Sequence, residues 1–370
     1  MEKKKFFRKW ILLGLFIAVV MIFSLREREK YKYETAEFYA MDTYFTMRAY
    51  GPSAEQALAD CEKVVRELEG LLSVTDEQSD IWRINHEKSA AVAQETYALI
   101  SDACSYGERT GGALDITLYP VLQEWGFTTG EYRIPEEDRL KELLDNVDYR
   151  QVSLKTLADG KKSLPGKPQE LYMVHIPENV QIDLGAVAKG YTGDALLNVL
   201  RQNGVNSAIL DLGGNVQTLG TKPDGSLWRV AVRNPFDRGS QIGILEINDK
   251  CVITSGSYER YFTGEDGRDY WHILDPGDGH PADNGLVSVT VVGKRGEECD
   301  ALSTALFVMG KERAMEFWRG QQESGKEDPD RMDFDMILVT DQGKLYMTQG
   351  LEGCFTCEEG WDVETVFLEN

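Results

Sequence analysis

Histidine is the scarcest ionisable residue in this chain, four in 370, so few side chains can exchange a proton near neutrality. Cysteine is nearly as sparse. Its six positions, 61, 104, 251, 299, 354 and 357, are too few and too scattered for a disulfide scaffold at this length. Only "CFTC" near the C-terminus is a close pair, and no second pair or histidine lies beside it in sequence to complete a zinc site. It reads as an incidental or structural pair. Repeats and low-complexity blocks are absent, and so is the G-x-x-x-x-G-K-[ST] loop of the common nucleotide-binding enzymes.

Acidic residues outnumber basic ones over most of the chain. The formal net charge is −22, yet the first 33 residues carry +6, leaving −28 on the rest. A body that acidic excludes nucleic acid as a partner, because nucleic-acid binding needs a basic surface. The basic N-terminus encloses "WILLGLFIAVVMIFSL", sixteen uncharged residues at 10–25, slightly short of the ~17–25 of a usual span. Arg8, Lys9 and Arg26 can snorkel to extend it. No A-x-A-like small pair follows the run, which argues against a cleaved signal peptide, and the first cysteine, Cys61, comes too late for a lipoprotein. The expectation is a single membrane anchor in a 1–33 segment. Lysines 3 to 5, Arg8 and Lys9 favour a cytoplasmic N-terminus, which places the acidic body of residues 34–370 outside the cytoplasm.

That body is long enough to bury a full core. In "EQALADCEKVVRELEGLLS" the apolar positions 58, 61, 65, 68 and 72 step by three and four, an amphipathic helix. A second helix is expected over 94–109, stopped by Gly111 and Gly112. Further helices are expected near 187–202 and 300–318. The segments "WRVAVR", "IGILEI", "VITSG", "YWHIL" and "VSVTVV" read as strands, and "GQQESGKEDPDR" (320–331) as a surface loop. Consecutive strands with segregated helices point to an α+β fold.

Five Gly-punctuated or polar stretches carry the candidate chemistry. "IDLGAVAKGYTGDAL" (182–196) reads as a strand that breaks at Gly185 and continues as a helix, gathering free amides, a positive helix end and Lys189 into an anion site; a packing turn is the bland alternative. "CDALSTALFVMG" (299–310) sets Asp300 and Thr304 four apart on one helix face, where they serve as a cap and a packing residue, or as two oxygen ligands of a hard cation such as Mg²⁺. "TGGALDIT" (110–117) and "LDLGGNVQTLG" (210–220) place an aspartate next to a glycine pair, either for close approach to a ligand or as ordinary turns. "WHILDPGDGHP" (271–281) holds His272 and His280; the second follows the turn sequence PGDG and reads as loop.

Together with "MDTYFTM" (41–47), "SDIWRIN" (79–85) and "ITSGSYERYF", these stretches resemble, in order and over residues 41 to about 350, the ApbE family of flavin transferases. The resemblance implies an ApbE-like α+β fold and a Mg²⁺-dependent, extracytoplasmic enzyme. Such an enzyme splits FAD at its pyrophosphate, transfers FMN to a Ser or Thr hydroxyl of an acceptor flavoprotein and releases AMP. Family acceptors are redox-pump subunits or secreted flavoproteins. By resemblance Met41, Ala113, Leu114, Asp115, Asp183 and Lys189 border FAD. His272 lies beside its phosphates, and two roles are open to it, donating to a phosphate oxygen or accepting the hydroxyl proton as a catalytic base, of which phosphate contact is favoured. Ala186 through its carbonyl, Asp300 and Thr304 hold Mg²⁺. Two positions depart from the pattern: Thr75 stands where many members have a Tyr packing near the cofactor, and Ser303 stands where some have Asp beside the metal. FAD hydrolysis to FMN and AMP, and non-enzymatic FAD binding by an anchored protein, are the alternatives.

Overall fold

The computed structural model describes residues 10, 16, 30–158, 170–324, 328 and 331–368. Apart from Trp10 and Phe16, the expected anchor lies outside the described residues. Among the described residues no helix is long and apolar enough to cross a membrane.

The frame is one nine-stranded sheet. It opens with the hairpin of β1 (Tyr33–Ala40) and β2 (Thr43–Tyr50). Met41 and Asp42 form the turn with φ of 47° and 58°, the mirror-image turn geometry whose twist suits a two-residue hairpin. Next to β2 lie β6 (Ala208–Leu212) and β7 (Asn215–Leu219), then β10 (Cys251–Gly256), β13 (Leu286–Gly293), β14 (Phe334–Thr340), β15 (Lys344–Thr348) and β17 (Asp362–Val366). All these pairings are antiparallel except β15 with β17. Three small sheets surround it: β3 (Ser89–Val92) and β4 (Ser153–Ala158) flanking β5 (Glu170–His175); β8 (Trp228–Arg233) on β9 (Gln241–Ile247) on β16 (Phe355–Cys357); and the hairpin of β11 (Tyr261–Thr263) with β12 (Asp269–Trp271).

Seven helices are described: α1 (Ala54–Leu72), α2 (Asp80–Glu87), α3 (Gln94–Arg109), α4 (Tyr119–Trp125), α5 (Glu137–Leu144), α6 (Ala188–Gln202) and α7 (Gly296–Glu323). α1 buries the expected stripe, Leu58, Cys61, Val65, Leu68 and Leu72. The main core lies between α2, α3, α6, α7 and one face of the sheet. A second cluster joins α1 and α6 to β1, β2 and β6. On the opposite face, Trp228, Val230, Val232, Ile242 and Leu245 pack β8 and β9 onto Val252, Val292 and Ile337.

Three expectations are corrected. Residues 182–184 form no strand, because their backbone bonds go to the Asn85 side chain and to a 3-10 turn at Ile116. α7 starts at Gly296 and runs to Glu323, so 320–323 are helical rather than loop. It also breaks at Gly310, where φ 76° and ψ 171° leave helical space. The "YWHIL" strand ends at Trp271, with His272 just beyond it.

Candidate functional site

Three segments distant in sequence are pinned together around residues 182–190. Buried Asn85 on α2 donates to the Ile182 carbonyl at 2.8 Å and accepts from the Ile182 amide at 2.7 Å, standing in for a neighbouring strand. The Asp183 amide donates to the Ile116 carbonyl at 2.9 Å. "SDIWRIN" is thus scaffolding: Ser79 caps α2 by accepting from the Trp82 amide, Asp80 accepts from Ala93 N and Thr96 Oγ1 and pairs with Arg83, and Asn85 holds the loop. Replacing Asn85 by Ala strands a buried donor and a buried acceptor, at ~1–3 kcal/mol each. Urea denaturation of Asn85→Ala is therefore expected to give about 2–5 kcal/mol lower stability. A loss below about 0.5 kcal/mol would show that the clamp does not hold the loop.

Asp115 is spent on the same scaffold. It accepts from the Thr117 amide (2.8 Å), the Thr117 hydroxyl (2.6 Å) and the Tyr149 amide (3.0 Å). Ala113 and Leu114 are buried, following Gly111 and Gly112 at φ 64° and 83°. The aspartate's link to the site is indirect, through neighbouring Ile116 and the Asp183 amide.

Where α6 meets α7, the Gly190 amide donates to Asp300 Oδ2 at 2.8 Å. In a continuing helix that amide would bond the Ala186 carbonyl; here α6 begins at Ala188, and the carbonyl loses that donor. Glycine is required at 190, since a Cβ there would lie 2.2 Å from the Gly296 carbonyl oxygen and 2.7 Å from Asp300 Cβ. Gln217 Nε2 donates to the Gly190 carbonyl at 3.0 Å from the sheet side. Asp300 is buried, which pushes its carboxyl upward, while Lys189, the Gly190 amide and Asn215 pull it back. One turn on, Thr304 is the only residue from 296 to 310 that is not buried. Its hydroxyl lies 3.4 Å from Ser255 Oγ. Ser303, the departure from the family pattern, is fully buried, donates to the Asp300 carbonyl at 2.9 Å and sits 2.8 Å from Ser255 Oγ.

His272 is fixed on one side, where its backbone amide (3.1 Å) and ring Nδ1 (3.2 Å) both approach the Arg260 carbonyl. A carbonyl only accepts, so Nδ1 carries the hydrogen and the neutral ring leaves Nε2 as a bare acceptor. Burial, with help from the Arg260 and Lys189 charges, pushes its pKa down to about 4. Half-buried Asp183 accepts from the Gly185 amide at 2.9 Å. Burial raises its carboxyl, while that amide, Lys189 and Arg260 lower it. Asp183, Lys189, Arg260 and His272 therefore form one electrostatic cluster, tied through Lys189 to Asp300. Arg260 was missed in the sequence, although "SYERYF" contains it.

Met41 sits at the hairpin turn with its amide donating to Glu69 Oε1 at 2.6 Å and its Sδ 3.6 Å from the Thr192 hydroxyl of α6. Thr75 is exposed and bonded to Ser73. His280 lies apart, 3.3 Å from Glu137 Oε1. Cys354 and Cys357 are free thiols whose Sγ atoms contact the Leu351 and Ile242 carbonyls. Among the described residues no group of three or more His, Cys, Asp or Glu side chains could hold a metal.

The model of the ApbE family matches residues 41–326. A protein named FAD:protein FMN transferase from Treponema pallidum is 32% identical over 299 residues, covering 76% of this chain and 80% of that protein. One of the same name from Vibrio cholerae is 32% identical over 277 residues, covering 70% and 78%. Among solved structures, the ApbE protein of Thermotoga maritima superposes with a TM-score of 0.75 at 28% identity, covering 87% of this chain and 99% of that one. The flavinyl transferase ApbE of Pseudomonas stutzeri gives 0.70 at 26% identity, covering 89% and 95%.

Proposed function

Because this chain belongs to the ApbE family, we propose that it is a transferase moving FMN from FAD to a serine or threonine hydroxyl of an acceptor flavoprotein, with AMP as the second product. Its relatives are named for FAD:protein FMN transfer. The observation that carries the reading is the Gly190 amide on Asp300, which draws a buried carboxylate against Lys189, beside Arg260 and His272. An acidic body needs such a local concentration of positive charge to accept a dinucleotide.

Asp300, Thr304 and the freed Ala186 carbonyl offer oxygen alone, with one carboxylate among them, a donor set suited to Mg²⁺ completed by substrate phosphates. Bound there, Mg²⁺ supplies charge neutralisation on the pyrophosphate. Lys189 and Arg260 attract the same phosphates toward His272. The acceptor oxygen forms a bond to the FMN-side phosphorus, the P–O bond to AMP breaks, and the hydroxyl proton passes to His272 Nε2. The hydrogen on Nδ1 favours this base role over the phosphate contact expected from sequence. As the family resemblance implies, Met41 contacts the flavin and the segment of Ala113 and Leu114 borders FAD, while Asp115 holds that segment in place; such positioning, together with electrostatics, supplies most of the rate. The 10–25 run anchors the body on the outer side of the membrane, where redox-pump subunits or secreted flavoproteins are the acceptors.

Incubating the chain with FAD, Mg²⁺ and a candidate acceptor tests this. The expected result is acceptor-linked FMN and free AMP in equal amounts. Free FMN with AMP would replace the reading by FAD hydrolysis, and intact FAD would reduce it to binding.

A further inference from the structure

The nine-stranded sheet is covered unevenly on the face away from α6 and α7. There β8 and β9 pack over β10, β13 and β14, while Tyr33, Tyr39 and Tyr44 of the β1–β2 hairpin stay exposed. Between covered and open regions runs a cleft of about 870 Å³. Ile209, Asp211 and Val216 of β6 and β7 form one wall, and Arg229, Ala231 and Arg233 of β8 form the other. Trp361 closes it on a third side.

Among the described residues β8 is the last strand of its sheet and pairs with β9 alone. Trp228, Val230 and Val232 face the core and Arg229, Ala231 and Arg233 face out. Its other edge therefore presents backbone donors and acceptors to the cleft, the template an extended peptide completes by strand addition. Six residues of strand span about 20 Å, long enough to fix the register of a bound segment.

The cleft is lined by none of the site residues, but one end of it connects to them along the chain. β8 starts far from it, where Trp228 Nε1 donates to the Gly220 carbonyl at 2.9 Å. It ends in the 234–240 loop, where the Arg238 guanidinium donates to the Tyr258 carbonyl. Arg233 pairs with Glu259 at 3.0 Å, and the next residue, Arg260, holds His272. On the opposite wall Asp211 Oδ1 accepts from the Gly214 amide at 2.7 Å, next to Asn215, whose side chain helps to lower the Asp300 carboxyl.

Resting on the transferase reading above, we propose that this cleft is the docking groove of the acceptor protein, whose segment around the modified hydroxyl adds to the free edge of β8 in extended form. The groove's chemistry favours that occupant over a small ligand: its walls carry charges of both signs, Arg229 and Arg233 against Asp211 and Glu358, while the strand edge selects backbone. Its end delivers a side-chain hydroxyl to His272.

The probe is the apo form of a protein that carries covalent flavin in wild-type cells and loses it when this chain is deleted. Two readouts are taken on the full chain: hydrogen exchange of β8 amides with and without this acceptor, and steady-state kinetics of Ala231→Trp, which fills the groove from an exposed position. Protection of 228–233 and an acceptor KM raised by about tenfold or more, with unchanged FAD affinity and unchanged melting temperature, support the groove. Transfer by the wild type with unprotected β8 amides and an unaltered acceptor KM in Ala231→Trp overturns the groove and leaves the activity standing. No transfer by the wild type to that acceptor overturns the activity and the groove with it.

Discussion

Asp300→Asn is expected to lower FMN transfer by more than about 100-fold, beyond the usual cost of losing a partner that only supports a metal ligand. The choice of Asn matters. Its carbonyl oxygen can still accept from the Gly190 amide, which the carboxylate takes at 2.8 Å, so the α6–α7 contact survives while the charge is lost. Asp300→Ala would remove both and confuse a metal effect with a packing effect. The discriminating measurement is initial rate against Mg²⁺ concentration, paired with calorimetric titration of Mg²⁺ alone. The Mg²⁺ requirement should move to much higher concentration, with FAD affinity weakened in parallel. An Asp300→Asn enzyme within about threefold of wild type and with the same Mg²⁺ curve would place the cation elsewhere.

His272→Gln is expected to cost about 10²- to 10⁴-fold, the range for a positioned general base, and to remove an acid limb from the pH profile. The sign follows from the depressed pKa. The folded-state value of about 4 means that Nε2 is a free acceptor across the neutral range and becomes protonated only as pH falls through about 4. In kcat/KM, which reports the free enzyme, the His272 limb should therefore lie near pH 4 rather than near 6.5. In kcat it should lie higher, because bound pyrophosphate offsets the Arg260 and Lys189 charges that help to lower it. A His272→Gln variant that keeps the full acid limb would remove the histidine from proton transfer. The same depression makes the unfolded chain bind this proton first, so His272 takes stability away as pH falls from the unfolded value toward 4.

Much of the frame was legible because its periodicities are clean. α3 spans 94–109, ending just before the glycines read as its stop, and the β-branched and aromatic content of "WRVAVR" marks β8 to the residue. Legibility failed where partners come from elsewhere in the chain. Residues 182–184 have a strand-like composition, but the Ile182 and Asp183 backbone bonds go to Asn85 and Ile116, which no local pattern encodes. The first turns of α7 are buried on every side, so the amphipathic stripe that would announce its start is missing. Arg260 escaped notice because its part in the site runs through its own carbonyl and the ring of His272, twelve residues on. Asp115 looked like a ligand-facing carboxylate, and only the Tyr149 amide, 34 residues away, reveals how it is engaged.

The start of α7 has a consequence for how the protein assembles. Its Gly296 and Glu297 amides are capped at 2.8 and 3.0 Å by the two carboxylate oxygens of Asp194, which belongs to α6. The cap lies 102 residues upstream of the turn it closes, so the helix bearing Asp300 and Thr304 receives its cap only after the intervening strands have brought α6 alongside. Closing so long a loop is entropically costly until non-local contacts reward it. Metal affinity should accordingly emerge at the end of refolding, in step with global protection, and the α7 segment alone should show none.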